Sequence, residues 1–337
     1  MVLARFLLRR LVVVIPLLVG VLLLTFMLVR LSGQDPVALL AGPTATEGEI
    51  AMIRTQLGLD RPIWVQFGLY LAQVSGGDLG RSWLTNRPIL TDIVERIPAT
   101  LELAVLGVGL GALIGIPLGL LAAHRHGSGL DWITRVLSLL GFSIPTYFLG
   151  LLMLLVFFYL LEIAPPGMGR ISLMVTPPPT VTGSYLLDAL LAGDAEAARS
   201  AASQLMLPVI CVAIISAAPM IKQTRAIALE VLGTEFIRFA RASGLAERVV
   251  RRIALRNSFT PVATFAGGEL VGLLGTISLI EYVFAWGGLG QYGLTAVTRG
   301  DFAAVQAYVL TLAVFAILVF LIVDMLVLAF EPRAGRR

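Results

Sequence analysis

The chain has 337 residues, of which 58% are hydrophobic and 14% are charged, and its formal net charge is +4. A mean hydropathy of +0.91 is typical of a membrane protein and excludes an ordinary soluble domain. The one cysteine, Cys211, excludes a disulfide framework and a cysteine-rich metal site. The basic residues sit beside apolar stretches, where lipid and topology account for them, so no nucleic-acid partner is predicted.

Six segments are apolar over the length that a helix needs to cross a bilayer. They predict an all-α, polytopic membrane protein with six transmembrane helices that contact lipid directly. The predicted spans are residues 7–31, 99–123, 133–161, 205–229, 259–284 and 304–330.

Arginines cluster in four places beside these spans, and the positive-inside rule assigns all four places to the cytoplasm. Both termini are therefore predicted to be cytoplasmic. Residues 1–31 are interpreted as the N-terminus with a retained first helix, and residues 331–337 as a cytoplasmic tail. The arginines behind this orientation are Arg5, Arg9, Arg10, Arg125, Arg135, Arg238, Arg241, Arg248, Arg251, Arg252, Arg256, Arg333, Arg336 and Arg337.

Two polar segments are too long for simple turns and fall on the outer side in this topology. Residues 32–98 are punctuated by glycine and proline and predict an outer-face subdomain with helices over 47–56 and 61–74. This subdomain either packs as a lid on the outer mouth or contacts a partner protein. Residues 164–203 predict an irregular outer loop with a short helix over 185–191, within a core transmembrane domain at 99–330.

The most informative stretch is the cytoplasmic region at 233–258. Its first half predicts a short helix that Thr234 caps, with Glu235 placed favourably at the N-terminal end of the helix dipole and Gly244 as the stop. Such a helix suits a groove on another protein. It has an apolar edge at Phe236 and Phe239, and a face without bulk at Ala240, Ala242 and Gly244.

The second half of this region predicts another short helix, over 246–256, with arginines along one side and valine and isoleucine along the other. Asn257 or Ser258 is then the expected cap of the next span. The alternative interpretation is that these arginines only follow the positive-inside rule and contact anionic head groups. That alternative leaves the order of the residues unexplained.

Residues 236–245, FIRFARASGL, resemble the cytoplasmic coupling loop of dipeptide and oligopeptide ABC-importer permeases. Arg238 stands where the general loop of binding-protein-dependent importers has a glutamate, a departure that the peptide branch commonly shares. The resemblance runs along nearly the whole chain and is closest to the first-permease type. Its further landmarks are GLDRP at 58–62, GDLG at 77–80, ERIPATLEL at 95–103, SIPTYF at 143–148, PPP at 177–179 and FAWGGLG at 284–290.

The resemblance implies a type I ABC importer permease fold in a bacterial or archaeal cytoplasmic membrane, and a transport subunit that is not an enzyme. The implied partners are a second homologous permease, two cytoplasmic ATP-binding subunits and an extracytoplasmic substrate-binding protein. ATP and magnesium would be bound by the ATPases, since this chain has no phosphate-binding loop and its only lysine is Lys222. The implied ATPase-coupling residues are Glu235, Phe236, Arg238, Phe239, Ala240, Arg241, Ala242, Gly244 and Leu245.

Carboxylates inside spans are expensive and therefore candidates for function. Glu269 and Glu281 either line the translocation path or are paired inside the bundle, whereas Glu102 is expected to be structural. Gly288 and Gly290 belong to a Gly-x-Gly-x-x-Gly run after a span, where a tight loop near the path is predicted and a dinucleotide site is not. No catalytic residue and no metal site are predicted. The rival function is an ion-coupled secondary transporter that uses these carboxylates.

Overall fold

The computed structural model describes residues 2–31, 37, 46–56 and 58–330. The predicted tail at 331–337 and part of the predicted outer segment, residues 32–36, 38–45 and 57, lie outside the described residues. Every regular element in the described ranges is helical, apart from one isolated antiparallel bridge between Arg81 and Pro88. The predicted all-α fold class is confirmed.

The helices are longer than the predicted apolar spans, because hydropathy marks only the part of a helix that suits lipid, whereas backbone hydrogen bonding continues past it. Helix α4, for example, begins ten residues before the predicted second span. In chain order the elements are α1 Val2–Leu31, α2 Glu47–Gln56, α3 Ile63–Ser75, α4 Ile89–His124, α5 Gly129–Ser143, α6 Thr146–Met153, a π-helix Leu154–Leu160, α7 Tyr185–Ala192, α8 Ala195–Leu232, α9 Glu235–Ala242, α10 Glu247–Val283, α11 Leu289–Arg299 and α12 Phe302–Phe330.

Helices α1, α4, α8, α10 and α12 are each long and apolar enough to cross a membrane. The predicted third span is a bent pair, in which α5 meets the following helical segment at 97°. Pro145 explains the break, because proline forces the preceding residue out of the helical region, and Ile144 has an extended backbone with ψ of 122°. Counted as one broken span, the pair brings the described part of the chain to the six predicted spans.

The chain divides into two compact units, and the first comprises Met1–Ile97 and Tyr292–Ile317. The predicted helix over 47–56 is present, and Thr46 and Glu49 bond reciprocally at its start as a capping box. The Phe67 ring on α3 lies 5.4 Å from the Phe26 ring on α1, centroid to centroid. The buried Ser82 hydroxyl donates to Asp301, which precedes α12. These contacts tie the predicted outer segment to the helices of its own unit.

The second unit comprises Pro98–Gln291 and Leu318–Arg337, and its core is built around α8. Helices α5, α7 and α10 all pack against α8, and α8 has the longest set of buried residues in the unit. The core includes Leu103, Met220 and Ile277, each almost completely buried. The unit also contains α9, so the site that the sequence predicts is carried on its best-packed helices.

Four glycines at intervals of four residues let α4 approach α8 closely. A Cβ atom added at any of these glycines would overlap α8, for example Val212 or Thr224. Small residues spaced by four favour close helix packing in membranes, where no hydrophobic effect drives helices together. This pattern was not predicted from the sequence; it comprises Gly107, Gly111, Gly115 and Gly119.

Candidate functional site

The predicted short helix is present as α9, Glu235–Ala242, between the two long helices α8 and α10. It ends as predicted, because Gly244 has a φ of 76°, which glycine adopts without strain. The predicted start position is correct, but the predicted capping role of the Thr234 side chain is wrong. Thr234 precedes the helix, but its hydroxyl donates back to the carbonyl of Val231 at 2.6 Å instead of capping α9.

One side of α9 is anchored on the rest of the unit. Ile237 is 0% exposed and packs with Val250 and Ala254 of α10 and with the partly buried Val231 and Leu232. The anchor fixes the position of a helix that is too short to be stable alone. Sequence reasoning missed Ile237, because its burial depends on contacts with the separate helix α10.

The anchor also corrects the predicted role of Ala240. That residue was assigned to an outward face without bulk, yet it is buried against the same cluster as Ile237. Its small side chain therefore allows α9 to approach α10 closely. A helix of two turns has little surface, and a residue three positions after a buried one falls on the same side.

The other side of α9 is open to the surroundings. Phe239 is 73% exposed, and Phe236 and Leu245 are partly exposed beside it. Arg238 pairs with Glu235 at 3.0 Å, and Arg241 pairs with Glu247 at 3.1 Å. The exposed residues of the predicted coupling set are Glu235, Phe236, Arg238, Phe239, Arg241, Ala242, Gly244 and Leu245.

The predicted second short helix over 246–256 is not a separate element. Residues Glu247–Val283 form one continuous helix, α10. Asn257 and Ser258 do not cap a span, because both side chains donate to carbonyls one turn earlier inside α10, those of Ile253 and Ala254. The basic stretch is therefore the first part of a long helix, and α9 packs against that part.

Glu281, in the last turn of α10, is completely buried. Its carboxyl group accepts hydrogen bonds from the Thr100 hydroxyl at 2.5 Å, from the Gln291 amide at 2.8 Å and from the Gly290 amide. The Thr100 oxygen in turn accepts from the Leu289 amide at 2.8 Å. We name Glu281, Thr100 and residues 284–291 the loop junction.

Glycines are required in the loop junction because the backbone touches buried side chains. A Cβ at Gly288 would overlap the Glu281 carboxyl group, and a Cβ at Gly290 would overlap Ser278. Trp286 is also buried, and its indole nitrogen donates to the Ala99 carbonyl at 3.0 Å. The structure therefore brings Glu281, Gly288 and Gly290 together, as parts of one tightly packed connection.

Glu269 lies apart from this group. It is twelve residues before Glu281 on the same helix, which corresponds to about 18 Å along the axis. Its side chain is half-buried. The structure thus separates the two predicted carboxylates into one enclosed and one partly open environment.

The predicted outer loop at 164–203 is held by two carboxylates. Glu102 pairs with Arg170 at 3.1 Å and accepts from the Ser184 hydroxyl, which confirms the structural role expected for it. Burial raises the pKa of Asp188, but hydrogen bonds from Thr182 and the neighbouring amides outweigh burial and lower the pKa below its ordinary value. Helix α7 covers the predicted helix at 185–191 and extends it by one residue, to Ala192.

No group of three or more histidine, cysteine, aspartate or glutamate side chains in the described part of the chain is arranged to hold a metal. The geometry offers instead one exposed helix on a buried anchor and one buried connection between helices. Neither arrangement contains the nucleophile and base pair that a hydrolytic site requires.

Comparison with known proteins agrees with this geometry. The family described as binding-protein-dependent transport system inner membrane component matches residues 115–336, and its N-terminal companion family matches residues 3–104. The chain is 42% identical to the probable D,D-dipeptide transport system permease protein DdpB of Escherichia coli K12, over 94% of this chain and 93% of the relative. It is 38% identical to the dipeptide transport system permease protein DppB of the same strain, over 98% of both chains.

A solved structure of the MetNI methionine ABC transporter in inward-facing form is similar to 73% of this chain and 99% of its own, with a TM-score of 0.52 and 20% sequence identity. That likeness shows the ABC importer permease fold. Family membership decides against the ion-coupled alternative, and permeases of this family bind no cofactor and are not catalytic. It implies an ATPase and a binding protein as partners. The chain belongs to the binding-protein-dependent transport system inner-membrane components and is a multi-pass permease subunit of an ABC importer.

Proposed function

We propose that α9 is the helix through which a separate ATPase drives this permease. The observation that carries the proposal is the contrast across α9, with Ile237 fully enclosed and Phe239 73% exposed. A helix fixed on one side transmits a push to α8 and α10, while its open aromatic residue suits a pocket on a partner. The salt bridges of Arg238 and Arg241 keep the exposed charges in place around that residue.

The assembly that we propose contains a second homologous permease, two ATP-binding subunits and an outer binding protein. ATP and magnesium would be held by the ATP-binding subunits, with α9 and both termini on the cytoplasmic side. The arginines beside the spans support this orientation. In the proposed division, residues 32–98 form an outer subdomain and 99–330 form the core transmembrane domain.

The proposed solutes are dipeptides and related small peptides. The support is that relatives at 42% and 38% identity carry D,D-dipeptide and dipeptide transport in their names and align over nearly the whole chain. Uptake of radiolabelled dipeptide by cells that express the system, with competition by free amino acids and by longer peptides, tests this assignment. If only free amino acids compete, the dipeptide assignment is wrong and the solutes belong to another class.

For the translocation path we propose a direct role for Glu269 and a supporting role for Glu281, Gly288 and Gly290. The half-buried position of Glu269 leaves its carboxyl group a route to a passing solute. Glu281 and the two glycines are enclosed, so they would stabilise the end of α10 without contacting the solute. Glu269→Gln should then alter the apparent affinity for solute more than Glu281→Gln does in those transporters that still assemble.

The coupling role is tested by Phe239→Ala in the transporter reconstituted in liposomes. Loss of a buried aromatic anchor at an interface costs about 2 kcal/mol, so solute-stimulated ATP hydrolysis and uptake should both fall more than tenfold. Leu173→Ala is the matched control, because Leu173 is an equally open apolar residue in the loop before α7. Gly244 is a poorer probe, since any side chain there strains the backbone. Uptake at the normal rate in Phe239→Ala would refute the coupling role.

A further inference from the structure

A cleft of about 340 Å³ opens between residues 134–142 of α5 and residues 221–225 of α8. Three of its α5 side chains, Arg135, Leu139 and Phe142, are spaced by four and three residues, so they share one face of the helix. Two further side chains, Thr134 and Ser138, are buried at its base. The cleft is lined by Thr134, Arg135, Ser138, Leu139, Phe142, Ile221, Lys222 and Arg225.

One of the three cations in the cleft is already neutralised. Arg225 donates through Nε and Nη2 to both carboxyl oxygens of Asp131, which is buried in the first turn of α5. The Gly127 amide also donates to that carboxylate at 3.1 Å. The pair fixes α5 on α8 and leaves the mouth of the cleft to Arg135 and Lys222. Both of these are exposed, and neither forms a salt bridge within the part of the chain that is described.

Beyond Arg135 along α5, the side chains that line the cleft are apolar. Leu139 is 67% exposed and Phe142 is 77% exposed, both on a helix of the broken membrane span. Phe142 is seven residues beyond Arg135, which places it about 10 Å further along the α5 axis. Ile221 of α8 forms the facing wall. Positive charge at one end and open hydrocarbon at the other match the two ends of an amphiphile that lies along α5.

We infer that this cleft binds one anionic phospholipid, with its phosphate at Arg135 and Lys222 and an acyl chain along Leu139 and Phe142. A free phosphate or carboxylate would use only the cations, and a zwitterionic lipid would gain little from them. Basic pockets between membrane helices on the cytoplasmic side are suited to acidic head groups. The site is separate from α9 and from Glu269, so it is independent of which solute is carried and of the coupling role.

The test uses the purified full-length chain, with the subunits that accompany it, in detergent. Native mass spectrometry measures retention of added phosphatidylglycerol against phosphatidylcholine of the same chain length. The expected result is at least a tenfold preference for phosphatidylglycerol, and about a tenfold weaker affinity in the double variant Arg135→Gln, Lys222→Gln. The control pair Arg252→Gln, Arg256→Gln removes the same charge from exposed positions on α10 and should change the affinity less than twofold.

Two further variants and one soluble compound distinguish a bound lipid from a free anion and from a protein partner. Arg135→Lys with Lys222→Arg should keep the preference, and Phe142→Ala should weaken both lipids equally. Glycerol 3-phosphate should not compete. Equal loss in the control pair, no loss in the double variant, or competition by glycerol phosphate would each overturn the inference. So would a photo-crosslink from position 142 to another permease subunit instead of to lipid. If the double variant fails to insert, Lys222→Gln alone is measured against Arg252→Gln.

Discussion

Helix α9 and the loop junction both contain residues that their sequence marks for function, yet the structure uses them in opposite ways. In α9 the charged and aromatic residues are open, and one fully buried residue, Ile237, holds them. In the loop junction the Glu281 carboxyl group, Gly288 and Gly290 are buried, and each contacts a partner within the same connection or on α10. A charge near a membrane span is therefore a sign of solute contact only when its hydrogen-bonding capacity is not already used.

The two regions should respond differently to substitution for a physical reason. A buried group leaves its partners without hydrogen bonds when it is removed, and each unpaired group costs about 1 to 3 kcal/mol. An exposed group exchanges its partner for water at little cost. Stability measurements should therefore report on the loop junction, and transport measurements on the exposed side of α9.

The largest expected effect is that of Glu281→Ala. It removes the acceptor of the buried Thr100 hydroxyl and Gly290 amide, so unfolding should become easier by about 3 kcal/mol or more. Thermal unfolding of the purified chain in detergent measures this. Glu230→Ala, at an exposed position on α8, is the matched control and should stay close to the parent. A loss under about 1 kcal/mol for Glu281→Ala would show that the network is not a structural unit.

Ile237→Ala comes next, because it removes the buried anchor of α9. Deleting a buried isoleucine side chain to alanine costs about 2 to 5 kcal/mol, and here the cost should be local, since the cluster is small. Hydrogen exchange of residues 235–242 should speed up while that of the α8 core stays slow. Val249→Ala, at a partly exposed position nearby, serves as the control. Unchanged exchange in α9 would mean that another contact holds it.

Gly290→Ala tests the packing of the loop junction by overfilling it, because it adds one methyl group there. The new Cβ would overlap Ser278, and overpacking of this kind costs about 1 to 3 kcal/mol. Gly268→Ala on α10 meets open space and should be neutral or slightly stabilising. Equal thermal stability of the two variants would contradict the close packing seen at Gly290.

The smallest effect on stability is expected for Arg241→Ala. The Arg241–Glu247 pair is about half exposed on both sides, and such pairs contribute about 0.5 kcal/mol or less. Solute-stimulated ATP hydrolysis should nevertheless fall, if the pair organises the surface that the ATPase contacts. A large loss of thermal stability with normal hydrolysis would reverse this assignment and make the pair structural.

Several elements could be predicted because their signals are local. The helix over 47–56, the glycine stop at Gly244 and the short helix beginning at Tyr185 all depend on residues within a few positions of one another. The break at Pro145 was signalled by the proline itself. Its 97° angle was not, because the direction of a bend is set by what each half packs against.

Other features could not be predicted from single residues. Ala240 was assigned to the outward face of α9 because it is small, and Ile237 was overlooked because it stands among charged residues. The glycine series on α4 was overlooked because its meaning depends on which helix lies opposite. In each case the missing information is the identity of a neighbour distant in sequence.

The amino-acid sequence alone determined the membrane class, the positions of the long helices and the resemblance to importer permeases, because hydropathy, capping and motif order are properties of neighbouring residues. Tertiary structure alone decided which side of α9 is enclosed and what Glu281 binds. The hydroxyl that Glu281 accepts from lies 181 positions earlier in the chain. Burial and hydrogen-bond partnership of that kind exist only once distant segments are packed together.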